Sequence, residues 1–206
     1  MREIIDSWSK VSIGQYEEMC RLHDAHPEDN AKYIVEMLYD IEDAYNIPLQ
    51  EFTAMAAGLR AFSARPISEA KLTPAASYTV NGKVYNVDIS PQNFTAGQYV
   101  DLDNYIKAGA PLSDMLSAVI IPEGHLYNDG YDMAAVKADI NNLPVTAGFA
   151  VLNFFGKWSA ASTKTFLRCL TNRMKKGKKI APEQMEKLEK EMKKLQQAVT
   201  EFCRTL

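Results

Sequence analysis

Tyr78-Thr79-Val80-Asn81-Gly82-Lys83-Val84-Tyr85-Asn86-Val87-Asp88-Ile89 is where the sequence stops repeating at helical spacing and alternates with a period of two. Asn-Gly tolerates positive φ at both central positions of a type I′ turn, and that turn has the twist of paired strands. The stretch therefore predicts a β-hairpin over 78–89. Pro91 closes the second strand. Helical periodicity lies on both sides, so the hairpin makes the chain α+β instead of all-α.

On the N-terminal side, residues 8–13 (WSKVSI) read as a short strand or extended lead-in. Ser12 stands three residues before Gln15, the spacing of a capping box, so a helix follows to Leu22. His23 to Asp29 is a polar break. Ile34, Val35, Leu38, Ile41 and Tyr45 then recur at helical spacing and predict a helix from Asn30 to Tyr45. Pro48 opens a third helix carrying Phe52, Met55, Leu59 and Phe62, and residues 65–76 form a loop.

On the C-terminal side, Thr95 and Gln98 repeat the capping-box spacing. Two helix starts, Ser12 to Tyr16 and Thr95 to Tyr99, share the pattern [S/T]-x-G-Q-Y. Each follows a β-like stretch, so an N-terminal strand could join the hairpin in one small sheet. A helix over Ala96 to Ala108 stops at Gly109 and Pro111, and a second runs Leu112 to Ile121. A Tyr/Asp/Gly-rich loop, His125 to Asp132, precedes a short helix over Met133 to Ile140. A longer helix from Val145 to about Leu170 is apolar nearly all round in its first half and belongs in the core.

The final segment differs. Residues 171–206 hold ten Lys/Arg against five Asp/Glu, whereas the other residues hold 13 against 21. Met174 to Ile180 is a basic linker. Pro182 then starts a helix whose Met185, Leu188, Met192, Leu195, Val199 and Phe202 fall at gaps of 3, 4, 3, 4 and 3, an a/d seam. A helix of this length is marginal alone in water, so it must pack on its own body, on a copy of itself or on another protein. This divides the chain into a mainly helical domain with a β-hairpin over 1–172 and a basic linker with an amphipathic helix over 173–206.

Signatures of chemistry are sparse. Cys20, Cys169 and Cys203 form no C-x-x-C pair, and their odd number without a secretory h-region points to a reducing compartment. No apolar run approaches the length of a membrane span, so a soluble protein is expected. His23 and His26 beside Asp24, Glu28 and Asp29 match no metal-binding spacing and read as a polar turn. Glu123, His125, Asp129 and Asp132 could supply an acid and a base. No G-x-S-x-G or phosphate-cradling glycine motif accompanies them. We read that loop instead as a contact surface built on Tyr127 and Tyr131. The run Arg173, Lys175, Lys176, Lys178 and Lys179 could meet phosphates, but it lacks interleaved aromatics, and a solvated helix face is the stronger reading. Neither a cofactor nor a metal is expected.

Several phrases resemble one family together. They are Asp88-Ile89, Phe94 to Leu102, Leu116-Ser117-Ala118-Val119-Ile120-Ile121-Pro122, Leu143-Pro144-Val145 and Phe154-Phe155. Their order is similar to that in small virion-assembly proteins of tailed bacteriophages, including those encoded near tail genes in phages of gut Bacteroidetes. In these a TxGQYxDL helix start precedes an LxAVxxxP helix, a variable Tyr/Asp loop and an MPV…FF helix. The resemblance spans roughly residues 78–160 and leaves out the basic C-terminal helix. It implies a non-enzymatic morphogenesis protein, tail-assembly-chaperone-like, that binds other virion proteins in the host cytoplasm. The alternative it implies is a permanent virion component, such as a connector or tail ring subunit or a packaged protein. The interaction residues expected are Met185, Leu188, Met192, Leu195, Val199 and Phe202, then Tyr127 and Tyr131. Partners would be other phage proteins or a further copy of the chain, with nucleic acid the weaker reading and no membrane.

Overall fold

A computed structural model describes residues 2–26, 30–67, 72–87 and 94–156. The fold is mainly helical with one small antiparallel sheet. A 3-10 turn at Trp8–Lys10 leads into α1 (Ile13–Ala25), followed by α2 (Asn30–Tyr39), a second 3-10 turn (Ala44–Asn46) and α3 (Leu49–Ser63). The hairpin is β1 (Ser77–Val80) and β2 (Lys83–Val87). Then come α4 (Ala96–Ala108), α5 (Leu112–Ser117), β3 (Ile120–Pro122) and α6 (Met133–Ile140). The last described helix, α7, covers 145–156.

The local signals operate as the residues predict. The Ser12 hydroxyl accepts from the Gln15 amide, and the Gln15 side chain accepts from the Ser12 amide; Thr95 and Gln98 do the same for α4. Each box satisfies two amides that a helix start leaves without partners. Asn81 and Gly82 both take positive φ, 52° and 76°, as a type I′ turn requires. Gly109 ends α4 in the left-handed region at φ 62°, with the Ala110 amide reaching back to the Tyr105 carbonyl in a Schellman closure.

Three expectations are overturned. First, the helix expected to reach Tyr45 stops at Tyr39. Asp40 turns left-handed (φ 50°), and the Ile41 amide bonds the Glu36 carbonyl at 2.9 Å, again a Schellman closure. The Glu36 carboxylate then accepts from the Ala44 amide and so holds the chain in its new direction. Second, the helix expected over Leu112 to Ile121 ends at Ser117, and Ile120–Pro122 leaves it as β3, pairing Val87 with Ile120 and Tyr85 with Pro122. Tertiary pairing overrides the helical reading here: β2 buries Tyr85 and Val87, and its second edge finds partners in β-branched isoleucines. Third, residues 8–13 do not add a strand to the sheet, whose order is β1-β2-β3.

The N-terminal stretch forms a different bridge. The Ile13 amide bonds the Leu143 carbonyl (2.9 Å), and the Val145 amide bonds the Val11 carbonyl (2.8 Å). This two-sided clip sets the N-termini of α1 and α7 side by side. Gly14 permits the approach, since a Cβ there would lie 3.3 Å from the Asn141 Cβ. The core runs from α1 through α5 to α7, where Ile13, Met115, Leu116, Val145 and Val151 have essentially no exposure. Aromatic edges carry it outward: Tyr16 stands between Phe149 (5.5 Å) and Trp8 (5.8 Å), and Trp8 meets Phe62 at 4.8 Å. The heptad seam, the basic linker, Asp88-Ile89, Pro91, Cys169 and Cys203 lie outside the described residues, as does the 172/173 division.

Candidate protein-interaction surface

Two polar side chains anchor the loop between β3 and α6, while Glu123, His125, Asn128 and Asp129 are exposed. Asp132 caps α6 by accepting from the Ala134 and Ala135 amides. The half-buried Tyr127 lays its ring 3.6 Å from where a Cβ on Gly97 would stand, and its hydroxyl donates to the Asp101 carboxylate at 2.5 Å. Burial first, then the Asp101 bond, holds the Tyr127 phenol protonated well above its ordinary range. Tyr131 is half-buried too, meets the His125 ring edge-on at 5.7 Å, and has its ionisation pushed up by burial. The two tyrosines expected to contact a partner thus fix the loop onto α4 and onto itself. Residues 123–126, between β3 and Tyr127, are all exposed, and the large apolar one among them is Leu126, 75% exposed.

Two of the acid-base residues read from this loop have contacts within the fold. Asp132 is committed to its helix cap, and His125 packs on Tyr131. No group of three or more His, Cys, Asp or Glu among the described residues is placed to hold a metal ion. α1 runs on to Ala25, so His23 and Asp24 are helical where a break was expected from His23; His23 and Asn30 share a hydrogen bond of 2.8 Å, His26 stacks on Tyr33 at 4.1 Å, and residues 27–29 lie outside the described residues.

Two features had no signal in the linear sequence. One is a groove of about 840 Å³ bounded by α1, α2 and α3, with Trp8, Tyr16, Met19, Ile34 and Leu59 among its apolar walls and Cys20, His23 and Asp24 along one side. Cys20 is exposed on that wall, and partial desolvation by its neighbours raises its thiol above the usual range. The other is a polar knot under the hairpin. Asp139 on α6, 6% exposed, accepts from Asn81 Nδ2 (2.8 Å), Lys83 Nζ (2.8 Å) and the Tyr85 hydroxyl. Lys83 and Tyr85 are two residues apart on a strand and so share a face, while Asn81 reaches over from the turn. The Lys83 bond, then those from Tyr85 and Asn81, hold the Asp139 carboxyl down at about 2. The knot joins the hairpin to α6 and is structural in character.

Large apolar side chains exposed elsewhere are Tyr45, Leu49, Tyr99 and Val100. Tyr16 and Tyr99 occupy the same place in the paired [S/T]-x-G-Q-Y helix starts, yet Tyr16 is buried and Tyr99 is 41% exposed. The cap is thus repeated and the packing is not. The seam residues Met185, Leu188, Met192, Leu195, Val199 and Phe202, and the basic run Arg173 to Lys179, fall outside the described residues. Among the described residues, no helix is long and apolar enough to cross a membrane.

No protein-family model matches this chain, and neither a curated protein nor a solved structure matches it.

Proposed function

We infer that this chain works by binding other protein, as a non-enzymatic bacteriophage morphogenesis factor of the tail-assembly-chaperone kind. The observation that carries the reading is the apolar side chain that the loop after β3 holds out on a fixed frame. Tyr127 bonds Asp101 and Asp132 caps α6, and between these anchors and β3 Leu126 stands 75% exposed. Recognition of protein uses apolar side chains held out in this way. The groove of about 840 Å³ between α1, α2 and α3 supports the same reading, being large enough to take several side chains of a client. The phage assignment is supported by the phrases from Phe94 to Phe155.

Affinity capture of the tagged full chain from infected cells is the test, with an enriched tail or other virion protein expected. Mass spectrometry of purified particles separates the two forms of the proposal. Absence from particles fits a chaperone, whereas stoichiometric presence replaces it with a structural component such as a connector or ring subunit. An enzymatic activity abolished by His125→Ala in a folded protein would overturn both.

A further inference from the structure

The described residues end beside the start of α4. Phe155, in the last turn of α7, meets Phe94 at 4.9 Å, and Phe94 immediately precedes the Thr95 cap of α4. One turn on, α4 holds out two large apolar side chains: Tyr99 is 41% and Val100 52% exposed. The loop after β3 lies against the same end of the helix, with the Tyr127 ring over Gly97 and its hydroxyl on Asp101, and adds the exposed Leu126. This surface is acidic. α4 and residues 123–132 contain Asp101, Asp103, Glu123, Asp129 and Asp132 against one lysine, Lys107. Asp103 is engaged by Lys107, whereas Glu123 and Asp129 are exposed and stand outside the ion pairs among the described residues.

An occupant suited to this surface is cationic, carries large apolar side chains and starts close by. We propose that it is the chain's own segment 158–170. The segment brings Trp158, Phe166, Leu167 and Leu170 together with Lys164 and Arg168, and it contains no acid. The charge match extends beyond it, since residues 157–182 hold eight Lys/Arg and no Asp or Glu. Opposite charge draws such a segment to this face, and apolar contact with Tyr99, Val100 and Leu126 holds it there. Reach is no obstacle. Residues 157–164, at about 3.3 Å each, extend up to ~26 Å, and the thirteen residues of α4 measure only about 20 Å. The segment shares Leu126 with the contact surface of the proposed function, so a bound client would displace it. Because the seat forms without a client, it can fail while that reading stands.

Zero-length carbodiimide crosslinking of the full chain alone, prepared as an equal mixture of isotope-labelled and unlabelled protein, tests it. Crosslinks from Lys164 to Glu123 or Asp129 within one chain are expected. Their yield should fall at least fivefold in Val100→Ser/Leu126→Ser, which keeps every reacting group and changes only exposed side chains. It should fall as far in Phe166→Ser/Leu167→Ser, which leaves the surface itself intact. Hydrogen exchange of β1 and β2 should stay unchanged in both variants, which shows that the domain remains folded. The proposal is overturned if Lys164 joins only other carboxylates or none, or if the yield survives either double substitution. It is overturned equally if the crosslinks join labelled to unlabelled chains, which would make the occupant a second copy.

Discussion

Replacing Asp139 by alanine removes the acceptor that ties the hairpin to α6, and the cost can be worked out bond by bond. The Tyr85 residue is 2% exposed, so its hydroxyl loses its acceptor without gaining water, and a buried group left unsatisfied costs about 1–3 kcal/mol. Asn81 is exposed and can turn to solvent, so its bond counts for about 1 kcal/mol or less. The Lys83 side chain is 59% exposed, and its ion pair is screened to under about 1 kcal/mol. Relief from burying the carboxylate offsets part of the total. The net expectation for Asp139→Ala is a loss of about 2–4 kcal/mol, or roughly 5–15 °C in Tm for a chain of this length. Tyr85→Phe leaves Asp139 two other donors and should cost about 1–2 kcal/mol. Because the two residues share one bond, the double variant should fall short of the summed costs by at least about 1 kcal/mol. Urea unfolding of the four proteins measures the cycle. An Asp139→Ala cost under about 0.5 kcal/mol, or single costs that add to within about 0.3 kcal/mol, would refute the reasoning.

Further outcomes follow from the same contacts. Asp139 titrates at about 2 in the folded protein against an ordinary 3.8, so its contribution is complete above the ordinary value and disappears as pH falls toward 2. Acid titration of stability should therefore be shallower between pH 4 and 2 in Asp139→Asn than in the parent protein, and equal slopes would sink the assignment. Gly58→Ala should destabilise by about 1–3 kcal/mol despite alanine's helix propensity. A Cβ there would stand 2.6 Å from the Ile5 carbonyl oxygen, whereas at Gly97 the nearest atom is an ordinary 3.6 Å away and alanine should be tolerated in thermal melts. Ser12→Ala and Thr95→Ala each remove a helix cap and should cost about 1 kcal/mol apiece by denaturant unfolding, with neutrality of either one discounting its box.

The parts of this fold that could be read from the sequence are those whose partners sit within a few residues. Both capping boxes close over three positions, and the Asn81-Gly82 turn over four. α4 and α6 run between local stop signals, so Ala96–Ala108 and Met133–Ile140 were legible to the residue. The groove between α1, α2 and α3 could not be read in this way, because its walls come together only through packing.

Where a segment's state depends on a distant neighbour, the linear pattern is silent or misleading. Ile120 and Ile121 suit a buried helix face as well as a strand, and it is pairing with β2, more than thirty residues earlier, that makes them β3. Nothing near Tyr127 in the sequence announces that Asp101, on another element, takes its hydroxyl. Asp139 reads as an ordinary charge in an eight-residue helix until the hairpin brings it three donors. Short-range hydrogen bonds are encoded by adjacency and so belong to the sequence. Burial and charge pairing depend on which surfaces meet, and only the folded chain decides that.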